Sequence, residues 1–218
     1  MKTCLLLAFL LPLLPCAAQT SETGTPEDQI RATFGNYKSA ILNDEGERAL
    51  GYVDSRTLAY YGDMLEKTRT ADSATVDALP IMDKLMVLAI RHRTSHADLL
   101  RFDAEKLFVY AIEQGMVGKS SVMHNEIGEV ELDGNYARGK LVVNGTPAPA
   151  HFDFYDEGGW KVDLTSIFPL ANQGFEQLVR ESGEPENAYL LLVLEIITGN
   201  PAGPDIWQPV VTEQVNGG

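Results

Sequence analysis

The sequence predicts an α+β fold: a helical N-terminal half packed on an antiparallel sheet, with extra helices at the C-terminal end. Three observations carry that expectation. Apolar residues recur at helical spacing from Ile30 to Ile112, the mark of amphipathic helices. Beyond Gly118 the period drops to two residues and holds as far as Leu164, as half-buried strands require. Helical spacing returns between Ser166 and Thr198.

Residues 1–18 read as a signal peptide. Lys2 gives the positive start, Leu5 to Leu14 form a short apolar run, and Cys16-Ala17-Ala18 puts small residues at −3 and −1 of a cut before Gln19. About ten apolar residues are too few to cross a bilayer, which takes about twenty. The chain is therefore expected to be secreted or periplasmic, with no transmembrane span. The rival reading is a lipid anchor on Cys16, with Leu13 three residues upstream; Pro15 stands where that pattern wants Gly or Ala. A cut before Gln19 removes Cys4 and Cys16, the 2 cysteines of the chain, so the mature protein has neither disulfide nor cysteine nucleophile. The formal charge of −14 repels phosphate backbones and anionic lipid, and argues against nucleic acid as a partner.

Residues 19–25 form a polar leader, and a single domain is expected over 26–199. Thr25-Pro26-Glu27-Asp28 is a strong helix start: a capping hydroxyl, a proline at the first helical position and two acids at the positive end of the dipole. Ile30, Phe34, Tyr37 and Ile41 then make its apolar stripe. A short helix over Glu47–Val53 follows. Asp54 caps a helix over Ser55–Thr68, and Ser73–Leu79 makes a further helical turn. Pro80 opens a helix over Ile81–Arg91, with Ile81, Leu85, Leu88 and Ala89 on one face. Ser95-His96-Ala97-Asp98 has the form of a capping box. Asp103 caps Ala104–Gln114, and Gly115 stops it.

Strands are expected over Lys119–His124, Ile127–Leu132, Tyr136–Val143, Ala148–Asp156 and Gly159–Leu164. Asp133-Gly134-Asn135 and Asn144-Gly145 supply turn chemistry between them. Two helices follow, over Ser166–Arg180 and Glu186–Thr198, the second stopped by Gly199. Residues 200–218 are an irregular tail that Trp207 can pin to the body.

The stretch "HFDFYDEGGWKVDL", residues 151–164, is the most informative. With Asp156-Glu157-Gly158 as a three-residue loop, Phe154 faces Trp160 and Phe152 faces Val162 on one side. On the other side Asp153 faces Lys161 and His151 faces Asp163. The apolar row turns toward helices. The polar row, continued by Arg138 and Lys140, reads as a wetted sheet face with weak ion pairs.

This hairpin, "AHFDFYDEGGWKVDL" at 150–164, together with the N-terminal helix "EDQIRATFGNYKSAILNDEGERALGYVD" at 27–54, resembles the NTF2-like superfamily, which includes SnoaL-like and ketosteroid-isomerase-like proteins. The resemblance covers roughly residues 26–168. It implies a curved sheet closed by helices into a cone around an apolar pocket, with Phe152, Phe154 and Trp160 as ligand-binding residues on its wall. The chain departs from that pattern in its helices between 73 and 115 and in those after 168, which bear on the size of the pocket.

Other constellations carry less. His92 and His96 are four apart, a spacing that suits a metal on one helix face, but Ser95 is a better cap, which separates them, so no metal or cofactor is expected. His151 with Asp163 has the composition of an oriented base, without a serine or cysteine beside it. For Tyr60-Tyr61 the resemblance implies a hydroxyl offered to an oxyanion, as in isomerase-like members; only one of two neighbours is expected to face inward, and a core tyrosine with its tip in water is the commoner arrangement. No catalytic residue is assigned. The run Ala188–Ile197, "AYLLLVLEII", is expected to be a buried helix, with an exposed partner-binding helix as the alternative.

The leading expectation is an exported, non-catalytic protein that binds a small apolar ligand or a protein partner, a second copy included. The alternatives are an NTF2-like isomerase, dehydratase or cyclase with an acid or histidine base in the pocket, and a structural or envelope assembly factor.

Overall fold

The computed structural model describes residues 24–211. Residues 1–23, where the signal peptide and most of the leader are expected, and residues 212–218 of the expected tail lie outside the described residues.

Helix α1, Pro26–Leu42, begins as its sequence dictates: the Thr25 hydroxyl accepts from the Asp28 amide, and Ile30, Phe34, Tyr37 and Ile41 are all buried. After α2, Gly46–Leu50, and its exit loop, Asp54 caps α3, Ser55–Thr70, by accepting from the Thr57 amide at 2.9 Å. Asp72 caps α4, Ser73–Asp77. Helix α5, Ile81–Arg93, ends where Thr94 turns extended, and Ser95 caps α6, His96–Arg101. Asp103 caps α7, Ala104–Glu113. Each cap satisfies one amide that a helix start leaves open.

A first correction comes at residues 119–124. The expected strand there is a single helical turn, α8, Ser120–Met123. The Ser121 hydroxyl donates to the Gly118 carbonyl at 2.6 Å, and the Asn125 amide group donates to the Ser121 carbonyl at 2.7 Å. Such local side-chain bonds compete with a ladder. Val122 is the buried residue of this turn, too little apolar surface to hold a strand in place.

The sheet is an antiparallel meander in the order β1 (Asn125–Asp133), β2 (Tyr136–Val143), β3 (Thr146–Asp156), β4 (Trp160–Asp163). Asn144 and Gly145 both hold positive φ, 50° and 75°, as a tight hairpin turn demands. The free edge of β4 is met by residues 52–54: Val162 donates to the Tyr52 carbonyl and accepts from the Asp54 amide.

The β3–β4 register is a second correction. Phe154 lies opposite Val162, Asp153 opposite Asp163 and Asp156 opposite Trp160. Both glycines of the turn have positive φ, 79° at Gly158 and 132° at Gly159, so the loop is Glu157-Gly158-Gly159. The Gly159 amide donates to the Asp156 carboxylate at 2.7 Å, and Ser55 donates through both amide and hydroxyl to Glu157. The slip is an even step, so it leaves every side chain on the expected face. Phe152, Phe154, Trp160 and Val162 all point inward and are buried.

Helix α1 packs across this inner face. Phe34 meets Phe152 with ring centroids 5.2 Å apart, and the Thr33 hydroxyl donates to the Trp160 carbonyl at 3.2 Å. Helices α3, α5 and α7 complete the helical layer beside it. The outer face carries Arg138 and Lys140, both exposed, and the half-buried His151.

A turn of 3-10 helix, Leu164–Ile167, leads into α9, Phe168–Ser182, and then α10, Glu186–Thr198. Gly183 and Gly199 end them at φ 73°, where glycine is unstrained. The expectation of a buried α10 is corrected. Leu190 and Leu194 are buried, but Leu192, Ile196 and Ile197 are 48%, 73% and 57% exposed, because the core meets one side of the helix only. Lys84, itself buried on α5, anchors α10 through Glu186 at 2.7 Å and Asn187 at 3.2 Å. In the tail, Pro204–Trp207 makes a further 3-10 turn that buries Ile206. Arg91 binds it through the Ile206 carbonyl, while also taking the Lys67, Thr68 and Ala71 carbonyls at the end of α3.

Candidate functional site

The helices and the inner sheet face do not close on each other completely. A cavity of about 340 Å³ remains between them, near the lower end of the range for small-molecule pockets, 300–1,000 Å³. Its floor is made by Tyr37 of α1, Tyr61 of α3, Val122 of α8 and Phe152 of β3, all buried. One wall is α5, through Met82, Leu85, Met86 and Ala89; another is Leu164, Ile167 and Phe168. Leu194 and Ile197 of α10 close part of the top. The exposed Gly118, Ser121 and Ile197 mark the rim.

Each wall follows from local sequence. The α1 stripe that buries Ile30 and Phe34 brings Tyr37 to the same side one turn later. Met82 and Met86 are four apart on α5, so they share a face. That α5 face differs in detail from expectation: Ile81 and Leu88 are in the core, whereas Leu85 and Ala89 border the cavity.

Polar groups in the lining are few. Tyr60 donates its hydroxyl to Asp83 at 2.9 Å. Burial, and then the Asp83 charge, push that hydroxyl well above its usual range. Burial raises the Tyr37 and Tyr61 hydroxyls in the same way, so all three are neutral and able to donate at physiological pH. Arg93 reaches the lining but directs its guanidinium to the carbonyls of Gln114 and Gly115, at 2.6 and 3.2 Å. The lining contains no carboxylate and no imidazole.

Of the three aromatic residues singled out from sequence, Phe152 lies in this lining. Phe154 and Trp160 are packed in the core of the same sheet face. Tyr60 and Tyr61 correct the expectation that one alone would face inward. Both border the cavity, with rings nearly perpendicular at 81° and centroids 6.2 Å apart. Successive helical residues point about 100° apart, and a concave site can span that angle. Tyr37, Met82 and Met86 went unmarked by sequence reasoning, because at helical spacing they read as ordinary core.

The other candidates fall apart. His151 is not opposite Asp163; it faces Lys140 across the ladder and has Asp153 at 3.6 Å. Asp163 is buried and caps the 3-10 turn by accepting from the Thr165 amide and hydroxyl. Burial, joined by the charges of Asp54 and Asp153, raises its carboxyl above the usual range. The break at Ser95 separates His92 from His96, and His92 bonds the Thr198 hydroxyl at 3.2 Å. Among the described residues no group of His, Cys, Asp or Glu could hold a metal ion. None of the helices there is long and apolar enough to cross a membrane. The chain matches no family model, no curated protein and no solved structure in comparisons with all three.

Proposed function

We propose that this chain is an exported, non-catalytic protein of NTF2-like kind that holds a small apolar ligand between its helices and its sheet. The observation that carries this reading is the cavity of about 340 Å³ with aromatic, methionine and leucine walls. Export rests on the composition of residues 1–18, with a lipid on Cys16 as the alternative anchor. The kinship rests on the residues of α1 and of the β3–β4 hairpin, each of which gives one residue, Tyr37 and Phe152, to the cavity lining. An isomerase, dehydratase or cyclase needs an acid or histidine base facing the ligand, and this lining offers neither.

The test is a thermal-shift screen with lipids, sterols and aromatic metabolites. A ligand at a hundred times its Kd stabilises by about 2.7 kcal/mol, a rise of about 5–10 °C for a protein of this size. Ala89→Phe, which fills the space from α5, should abolish the shift. A panel that leaves the wild-type melting temperature unmoved sinks the reading.

A second observation favours a protein partner or a second copy. Leu170 and Leu178 of α9, 44% and 47% exposed, add to the bare side of α10, and exposed apolar surface of this kind marks contact sites. Solution molar mass tests it: a monomer at high concentration, with no partner recovered from envelope extract, removes this second reading.

A further inference from the structure

We propose that the groove along α9 is a docking site for a basic amphipathic helix of another protein. The inference rests on the partner reading of the exposed α9 and α10 residues and specifies the chemistry of the partner.

Helix α9 carries an apolar stripe, yet none of its 15 residues is buried. A helix in a folded protein owes most of its stability to the packing of such a stripe. Ala171, Phe175 and Leu178 fall at i, i+4 and i+7, on one face. With Gly174, Gln177 and Glu181 they line a shallow groove of about 480 Å³, and all six residues belong to α9 itself. Gly174 sits in its middle. Glycine is a poor helix former, and a Cβ at this position would meet nothing within 4 Å. No packing among the described residues calls for a glycine there. What it leaves is a notch between Ala171 and Leu178 that admits a large apolar side chain. Recognition of one helix in the groove of another uses anchors of this kind.

Charge selects the occupant. From Pro169 to Asn200 the chain carries five acids, Glu176, Glu181, Glu184, Glu186 and Glu195, and one base, Arg180. Arg180 lies 3.8 Å from Glu176, and Lys84 holds Glu186 at 2.7 Å. Glu181, Glu184 and Glu195 are exposed and have no ion-pair partner among the described residues. A second copy brings the same acids to the contact, on a chain of formal charge −14, and an anionic bilayer has the same sign. Lysine or arginine flanking an apolar stripe complements both the groove and its rim.

Two labelled peptides of about 18 residues, about five helical turns, separate these contributions. One places leucines on one helical face and lysines on the other; its match has glutamates for the lysines. Fluorescence anisotropy should show the lysine peptide binding at least about tenfold more tightly. Its affinity should fall at least about threefold between about 0.05 and 0.3 M salt. Gly174→Leu, which fills the notch, and Leu178→Ser should each weaken it at least about fivefold, while Gly174→Leu melts at or above the wild type. Glu181→Gln with Glu184→Gln should weaken it too; Glu126→Gln with Glu131→Gln, the same change of charge on β1, should not. Equal effects of the two pairs, or full affinity in both groove variants, show attraction by net charge alone and overturn the inference. Equal binding of the two peptides overturns the basic chemistry of the partner and leaves the contact-site reading standing. A wild-type dimer in light scattering that neither peptide dissociates makes a second copy the occupant and overturns the inference as well. Failure of both peptides to bind a monomeric protein overturns it together with the reading beneath it.

Discussion

Gly139→Ala tests the packing of the inner sheet face, which gives the cavity floor its Phe152. Gly139 sits in β2, opposite Phe152 of β3 and Val130 of β1. A Cβ at this position would lie 2.7 Å from Ile127 Cγ2 and 2.9 Å from Phe154 Cε2. Both contacts are well inside van der Waals range, and both neighbours are buried, Phe154 completely. Neither has open space to swing into, because both belong to the buried core that the sheet shares with α1. Overpacking of this kind costs about 1–3 kcal/mol, offset by about 0.4–1 kcal/mol from the stiffer unfolded chain. The expected net loss is about 1–2 kcal/mol, a fall of about 2–8 °C in Tm. Urea unfolding of wild type and variant measures it directly, with unchanged m-value. A double-mutant cycle with Ile127→Ala sharpens the test. Once the Ile127 methyl is gone, Gly139→Ala should cost less than it does alone. A neutral or stabilising Gly139→Ala would show that the row bearing Phe152 and Phe154 is loosely packed, and the account of the cavity floor would go with it.

Phe154→Ala empties the centre of the same face and should cost about 3–5 kcal/mol by denaturant unfolding; a loss below 1 kcal/mol would contradict its burial. Leu192→Lys with Ile196→Lys should leave stability within about 0.5 kcal/mol, since both side chains are largely exposed, and should abolish any self-association seen by light scattering. Asp163→Asn keeps an acceptor for Thr165 and removes the buried charge. Because the folded state raises the carboxyl of Asp163, that group favours folding while protonated and loses its contribution as pH rises through the folded value. The variant should therefore melt above wild type at pH 7, with the gap closing as pH falls toward the ordinary aspartate range near 4; a gap independent of pH would refute the assignment.

What could be read from sequence was local. Thr25, Asp54, Ser95 and Asp103 each cap the helix expected of them, by accepting from the amide three residues on, a device that needs no tertiary information. The inward row of the hairpin was equally legible, since alternation fixes a face whatever the register. The register itself was not. It depends on both Gly158 and Gly159 entering the loop, and on Ser55 holding Glu157 from 102 residues away in sequence. The face of α10 was hidden for a different reason. A helix apolar all round says that something covers it, and composition cannot say which side the core occupies. The cavity was the least legible feature. Tyr37 stands in a stripe with Ile30, Phe34 and Ile41, and pattern alone cannot distinguish a residue that touches its neighbours from one that leaves a space.

That space is the costly feature of the fold, which makes it the informative one. At about 24 cal/mol per Å³, a closed and empty volume of this size would cost up to about 8 kcal/mol, comparable to the whole stability of an ordinary domain. Entry of water at the rim near Gly118 and Ser121 lowers that figure, but water gains little from methionine and phenylalanine walls. Local means of filling the space exist: Ala89 has room for a larger side chain. If the opening serves no ligand, Ala89→Phe should only stabilise. If it serves one, the same substitution should raise the melting temperature of the free protein and remove the shift that ligand gives. The free protein gains stability in both cases, so the ligand-induced shift, present in the wild type and lost in the variant, is what separates a binding site from a packing defect.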